Sequence, residues 1–286
     1  MAVDIDQEFE DWFDVAINAN QYEAEKYMDG ILATLLTLVL GLKDTILKKI
    51  RASEKQISTD NMNLLDWDGN DETYNDFLNK NYKKIADSMK VIEEINKEID
   101  AFSKAMKGSI SEQIEFLSQY QYGLNAESMW LAGLSVDIPG MTAQQIQEIL
   151  DYKYDPDGSG LDRNQRIDRN ADKLKEKIAL LLIMAAITGR SLDEYITDIA
   201  ILFPGDENTG AFLNNLNALE TTELQVAAIM ALMLSYWQNR SLVAGVEYNA
   251  VWDNRICPIC AASGRDFAGM VFPVNQVPVF LPQHGR

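Results

Sequence analysis

A chain of 286 residues, 47% of them hydrophobic, can bury a substantial core as one large domain or two ordinary ones, which excludes a disordered tail. The formal charge of −19, from 44 acidic against 25 basic residues, opposes tight direct binding to duplex DNA, whose phosphates need clustered lysine and arginine. One short basic run, Lys48-Lys49-Ile50-Arg51, stands against that balance, and acid surrounds it on the wider scale.

The chain opens Met1-Ala2-Val3-Asp4-Ile5-Asp6, acidic where a secretory leader needs a basic segment. The longest apolar runs are Ile31 to Leu42, Ile178 to Ile187 and Val226 to Leu234. All fall short of the ~20 residues that cross a bilayer, so they predict buried helix faces and no membrane partner.

The first two thirds are helical by pattern. A first helix is predicted over Ile5 to Tyr27, with Phe9, Trp12, Phe13, Ala16 and Ile17 at spacings of three and four. Asp29-Gly30 should break it, and a second helix should run from Ile31 to Ala52. Turn formers make Asp60 to Asp71 a loop. A long charged helix follows over Thr73 to Met106, its stripe running through Tyr74, Phe77, Leu78, Tyr82, Ile85, Met89, Ile92, Ile95, Ile99 and Phe102. The stripe approaches a heptad, which suits antiparallel helix pairing.

Gly108-Ser109 punctuates, with shorter helices expected over Ser111 to Tyr120, Ala126 to Leu131 and Thr142 to Leu150. Thr142 and Gln145 have the spacing of a capping box. Asp155 to Gly160 is a loop. A strong helix covers Arg163 to Thr188, with Gly189 as its C-cap, and Ser191 starts another with Glu194 as its capping partner. After a loop at Pro204 to Asn208, a last long helix is predicted over Glu220 to Ala244, ended by Gly245. Val246 to Trp252 then alternates with period two, and Met270 to Val274 is a second candidate strand.

The chain's two cysteines and single histidine all fall near its end, as Cys257-Pro258-Ile259-Cys260 and His284. Zinc prefers thiolate and imidazole in a tetrahedral shell, and two cysteines two residues apart bind one ion through a turn. In H-x-x-C spacing a fourth ligand would fall at position 287. A water or another subunit closes the set otherwise, and the alternative is a decayed motif in which the three residues coordinate nothing. No βαβ context supports a thioredoxin-like redox pair, and no third group orients a Cys–His nucleophile.

Other acidic constellations carry less. Asp155, Asp157 and Gly160 mimic the start of an EF-hand loop, but position twelve is Arg166 where a bidentate glutamate belongs, so a plain turn is the better reading. The pairs Glu93-Glu94, Asp66/Asp68/Asp71 and Glu220/Glu223 read as solvated helix faces. The run Ile229 to Leu234 reads as core. With one histidine, most His-dependent catalysis is excluded.

Three blocks, in order, resemble the phage head morphogenesis family, the Mu F-like minor head proteins. The first is Gly160 to Leu174, running into Ile187-Thr188-Gly189-Arg190-Ser191. The second is Thr221-Thr222-Glu223 before an Ala-rich helix that ends Ala244-Gly245-Val246, with Thr221 where family members usually have arginine. The third is Tyr248 to Trp252, then Asp253-Asn254-Arg255-Ile256-Cys257-Pro258-Ile259-Cys260, Gly264, Phe272-Pro273, Pro282 and His284. The resemblance covers residues 155 to 286 and matches the family pattern up to His284.

The resemblance implies a virion component of the phage head, made in the host cytoplasm. Its partners would be the portal protein, or the major capsid or scaffold protein, and its work head assembly or DNA delivery. No small-molecule substrate and no catalytic residue are expected. The expected fold is mainly α: a long-helix N-terminal bundle over 1–153, a helical head-morphogenesis core over 154–245, and a small C-terminal α+β zinc-knuckle-like module over 246–286. Trp252, Phe267 and Phe272 would form the local core of that module. A different reading of the same residues is a metal-dependent hydrolase or nuclease with an open fourth zinc position, for which Asp253 and Asp266 are the local candidate bases. A third is a helical adaptor of a host cell.

Overall fold

A computed structural model describes residues 5–53, 71–131, 133, 136, 140–153, 159–188, 192–203, 211–243, 245–247 and 270–274; for 5–25, 28, 29, 32, 71–78, 80, 81, 84, 131, 187, 188, 192, 211 and 247 it describes the backbone alone. The protein is mainly helical, with helix accounting for 84% of the described residues. The helices are α1 (Ile5–Ala52), α2 (Asp71–Leu131), α3 (Ala143–Leu150), α4 (Arg163–Thr188), α5 (Leu192–Ala200) and α6 (Ala211–Gln238). Two short strands follow, β1 (Val246–Glu247) and β2 (Val271–Phe272), paired antiparallel with Val246 opposite Phe272 and Glu247 opposite Val271. Of the expected α+β module over 246–286, only β1 and the stretch 270–274 lie among the described residues.

Two predicted breaks are absent. Asp29-Gly30 lies inside α1 and Gly108-Ser109 inside α2. An interior glycine costs a helix about 1 kcal/mol. Gly30 is followed at once by a buried apolar stripe, and Gly108 sits inside one; burial of these stripes outweighs the cost. On α1 the stripe is Ile31, Leu35, Val39, Leu42, Ile46 and Ile50, all buried at spacings of three and four. On α2, Met106, Ile110, Ile114 and Leu117 are buried straight through the glycine. The helices expected at 111–120 and 126–131 are therefore the last turns of α2.

The predicted α2 stripe also drifts. Ile92, Ile95, Ile99 and Phe102 are buried as expected, but Met89 and Tyr82 are 44% and 68% exposed. At 3.6 residues per turn those two fall roughly 120° and 140° from Ile95, outside the core arc. Val91 and Ser88 take their places. The buried set Ser88, Ile92, Ile95, Ile99, Phe102 and Met106 keeps the alternating four-three spacing of a heptad, and Met89 lies one residue off it.

The prediction at α4 holds to the residue, and α3 starts as predicted. Thr142 Oγ1 accepts from the Gln145 amide at 3.3 Å while Gln145 Oε1 accepts from the Thr142 amide at 2.9 Å. Helix α6 differs at both ends: it starts nine residues before Glu220 and ends at Gln238. Phe212–Gln238 is long and apolar enough to cross a membrane by length and composition, which a count of uninterrupted apolar residues does not register. Half of its most apolar window is buried within the protein.

The chain forms two compact units. The first comprises Met1–Leu32, Ser109–Arg163 and Ala218–Arg286. Its core includes Ile114, Leu117, Tyr122, Leu224 and Ala231, each at most 2% exposed. The second comprises Ala33–Gly108 and Asn164–Asn217. Its core joins Ile46, Ile95, Ile99, Leu182, Ile199 and Phe203, all without exposed surface. There Phe212 meets Phe102 at 5.9 Å and Phe203 edge-on at 6.0 Å between ring centroids.

Candidate functional site

The candidate site from sequence is the C-terminal clasp. Cys257, Cys260 and His284 lie outside the described residues, as do Asp253, Asp266, Trp252 and Phe267. Among the described residues no group of three or more His, Cys, Asp and Glu side chains could hold a metal. The structure does describe the base of the clasp. Strands β1 and β2 pair across segment 248–270, which contains both cysteines, so the pairing brings the two ends of that segment together.

Gly245 serves this base in a way the sequence did not suggest. It is no helix cap, since α6 ends at Gln238. A Cβ at Gly245 would stand 2.6 Å from Val271 Cγ1 and 2.9 Å from the Phe272 carbonyl oxygen, far inside contact distance. Only glycine lets the chain enter β1 this close to β2.

The end of α6, from which the clasp departs, is fixed to α2 by neutral hydrogen bonds within the first unit. The Tyr122 hydroxyl donates to Gln238 Oε1. Asn125 Nδ2 donates to Ser235 Oγ at 2.9 Å, with both residues buried. Asn239 Nδ2 donates to the Ser235 carbonyl at 3.1 Å and carries the bonding to the first residue past the helix. Just beyond, the Arg240 guanidinium lies 5.0 Å from the centroid of the Trp237 ring. Elsewhere in the unit, Arg163 Nη2 donates to the Ser111 hydroxyl at 3.4 Å and the Leu150 carbonyl at 3.5 Å, joining α4 to α2 and α3.

Glu220 and Glu223 are not on a solvated face. They are 2% and 4% exposed, with Thr222 buried between them. Glu220 Oε2 has no hydrogen-bond partner, and burial pushes its carboxyl up to about 7. Helix spacing is the signal that finds this. Glu220 stands four residues before Leu224, seven before Ala227 and eleven before Ala231, all buried, so the period puts it on the apolar stripe. Burial also raises Tyr236 on the same helix. Glu93 and Glu94 are exposed as expected, Asp66 and Asp68 lie outside the described residues, and of the run Ile229–Leu234 only Ala231 is fully buried.

The second unit holds charged contacts instead. Lys107 Nζ lies 2.5 Å from Asp168 Oδ1, which also accepts from Ser103 Oγ at 2.9 Å. Lys175 Nζ lies 2.5 Å from Asp100 and 3.0 Å from Asp172. Seven residues backward on α2 match seven forward on α4, so these helices run antiparallel here. The bond from Lys107 holds the Asp168 carboxyl below its ordinary range, against the opposing effect of burial. Burial pulls the Lys175 ammonium down, and its bonds to Asp100 and Asp172 outweigh that and raise it. Lys49 adds a bridge from α1 to Glu98 at 3.2 Å.

These contacts position helices, and none forms a nucleophile–base pair. No family model, curated protein or solved structure matches the chain.

Proposed function

We propose that the protein is a minor head protein of a tailed phage, a virion component docked to the portal or to the inner capsid, scaffold or major capsid protein, that turns over no substrate. The observation that supports this best is the order of the three sequence blocks, with the third beginning at the β1–β2 base and its cysteines lying within the segment those strands close. A mainly helical chain with long helices suits such work, because it offers extended contact area.

Two thiolates and one imidazole are the donor chemistry of a structural zinc site. In this reading Cys257, Cys260 and His284 hold the ion, and a water or a neighbouring subunit completes the shell. The metal would contribute folding energy to a module too small to fold on its own apolar core. The protein's own part is the β1–β2 base and the tight passage at Gly245.

Elemental analysis of the full chain, purified without chelator, tests the metal. About one zinc per chain is expected, and less than a tenth of an equivalent ends that part of the reading. Co-expression with portal and capsid proteins tests the role. Cys257→Ser should lower incorporation into procapsids. Failure of the intact chain to enter any head particle overturns the assembly reading, and a measured turnover lost with Cys257→Ser replaces it with the hydrolase.

A further inference from the structure

We infer that the solvent face of the last six turns of α2, with Tyr27 of α1 beside it, is a docking surface for an arginine-bearing helical segment of a partner protein. The inference stands apart from the phage reading and concerns different residues.

The surface is read from the period of the helix. Phe116, Tyr120, Gly123, Glu127 and Trp130 follow one another at spacings of four, three, four and three, and so share one face. The buried residues Ile114, Leu117, Asn125 and Met129 lie on the opposite arc. Phe116 is 50% exposed and Trp130 is 59% exposed. Tyr27 stacks on Phe116 at 4.8 Å between ring centroids, and Tyr120 continues the row at 6.0 Å from Phe116. From Phe116 to Trp130 the stripe extends ~21 Å, about four turns of a docked helix.

Large aromatic rings held rigid on a surface are the commonest anchors of protein interfaces. Isolated exposed apolar residues need no explanation, but a stacked row on one helix face does.

Charge decides the partner. Between Lys107 and Lys153 the chain has no lysine or arginine, against Glu112, Glu115, Glu127, Asp137, Glu148 and Asp151. Glu112 and Glu127 are exposed on the same face as the rings. Lys26, exposed beside Tyr27, is the cation at its edge. A second copy of this chain would bring carboxylates against carboxylates. A guanidinium does the reverse: it stacks on aromatic faces and takes a carboxylate in the same position.

The test uses the full chain and a fluorescein-labelled helical peptide of eighteen residues, with arginine and leucine on one face, beside a twin in which glutamate replaces each arginine. Anisotropy should report saturable binding of the arginine peptide and none of the twin. Phe116→Ala and Trp130→Ala leave the net charge unchanged, and each should weaken binding at least tenfold with the far-ultraviolet circular dichroism intact. Glu127→Lys should weaken it severalfold. Tyr82→Ala, an exposed aromatic of the second unit, should change nothing. Equal affinity of the parent and both aromatic variants would show attraction to net charge alone and overturn the inference. So would equal binding of the twin, or a dimer that Trp130→Ala dissociates and the peptide does not displace.

Discussion

The described contacts that join α6 to α2 in the first unit differ in kind from those that join α1, α2 and α4 in the second. In the second, lysines and carboxylates cross from helix to helix at half-exposed positions: Lys49 to Glu98, Lys107 to Asp168, Lys175 to Asp100. In the first, the cross-helix contacts of α6 are neutral and deep: Tyr122 to Gln238 and Asn125 to Ser235. Charges near water are screened and contribute little each, while buried neutral bonds cost much when one partner is lost. The comparison teaches that one chain contains two stability regimes. Salt and acid should act on the second unit, and alkali and single deletions on the first.

The sharpest probe of that contrast is Glu220. Its carboxyl titrates at about 7 when folded, against an ordinary value of 4.5. A group raised in the folded state binds its proton more tightly there. It contributes stability below pH 4.5 that is lost progressively as pH rises through 7. The loss amounts to about 3 kcal/mol, since each tenfold change in proton affinity is worth roughly 1.4 kcal/mol. Glu220→Gln keeps the shape and removes the titration. Denaturant unfolding should show the variant more stable than the parent at pH 8, with the difference gone by pH 4. A constant difference across that range would mean that Glu220 is not buried as an isolated acid.

Next in size is Asn125→Ala. It deletes the donor to Ser235, which has no exposed surface, and leaves that hydroxyl to find a new partner in a dry site. The expected loss is about 2 kcal/mol. Hydrogen exchange should place it in the first unit, with amides near Ser235 losing protection and those near Ile99 keeping theirs. An equal loss of protection at both places would show that the units unfold as one.

How much of this was legible in the sequence depends on how local each signal is. The Thr142–Gln145 box is complete within four residues, and it forms as read. Helix α4 is bounded by a steady stripe, Ile167, Ala171, Leu174, Ile178 and Leu182, and its ends match. Gly30 and Gly108 mislead, because a glycine is judged by its neighbours while burial further along holds the helix: from Ile31 onward beside Gly30, and on both sides of Gly108. Glu220 misleads for a related reason: its charge suggests solvent, and only its spacing from Leu224 and Ala227 reveals the core. Tyr82 and Met89 mislead because a stripe drawn through every large apolar residue passes over Ser88, the small residue one position before Met89 that holds the buried place. The Phe116–Trp130 face is legible by spacing, yet its exposure is not, since an aromatic stripe reads as core until the structure shows which side is covered. The Cys257, Cys260 and His284 cluster is legible as donor chemistry alone.

The smallest expected effect tests the other side of the comparison. Asp168 accepts from Lys107 and Ser103, and its side chain is half-exposed. Asp168→Asn keeps the serine bond and removes the ion pair, so the loss at low salt should be only ~0.5–1 kcal/mol. It should shrink as salt is raised to 0.5 M, where the Debye length is on the order of 4 Å. The pH sign is opposite to that of Glu220. A carboxyl lowered in the folded state stabilises above its ordinary value of 3.8, and that stabilisation is lost as pH falls through the folded value. Parent and variant should therefore converge in acid, where the Glu220 pair also converges, and differ at neutral pH with the signs reversed: Glu220→Gln gains and Asp168→Asn loses. If salt leaves the Asp168→Asn difference untouched, the contact is a buried one after all, and the two units do not divide into charged and neutral regimes.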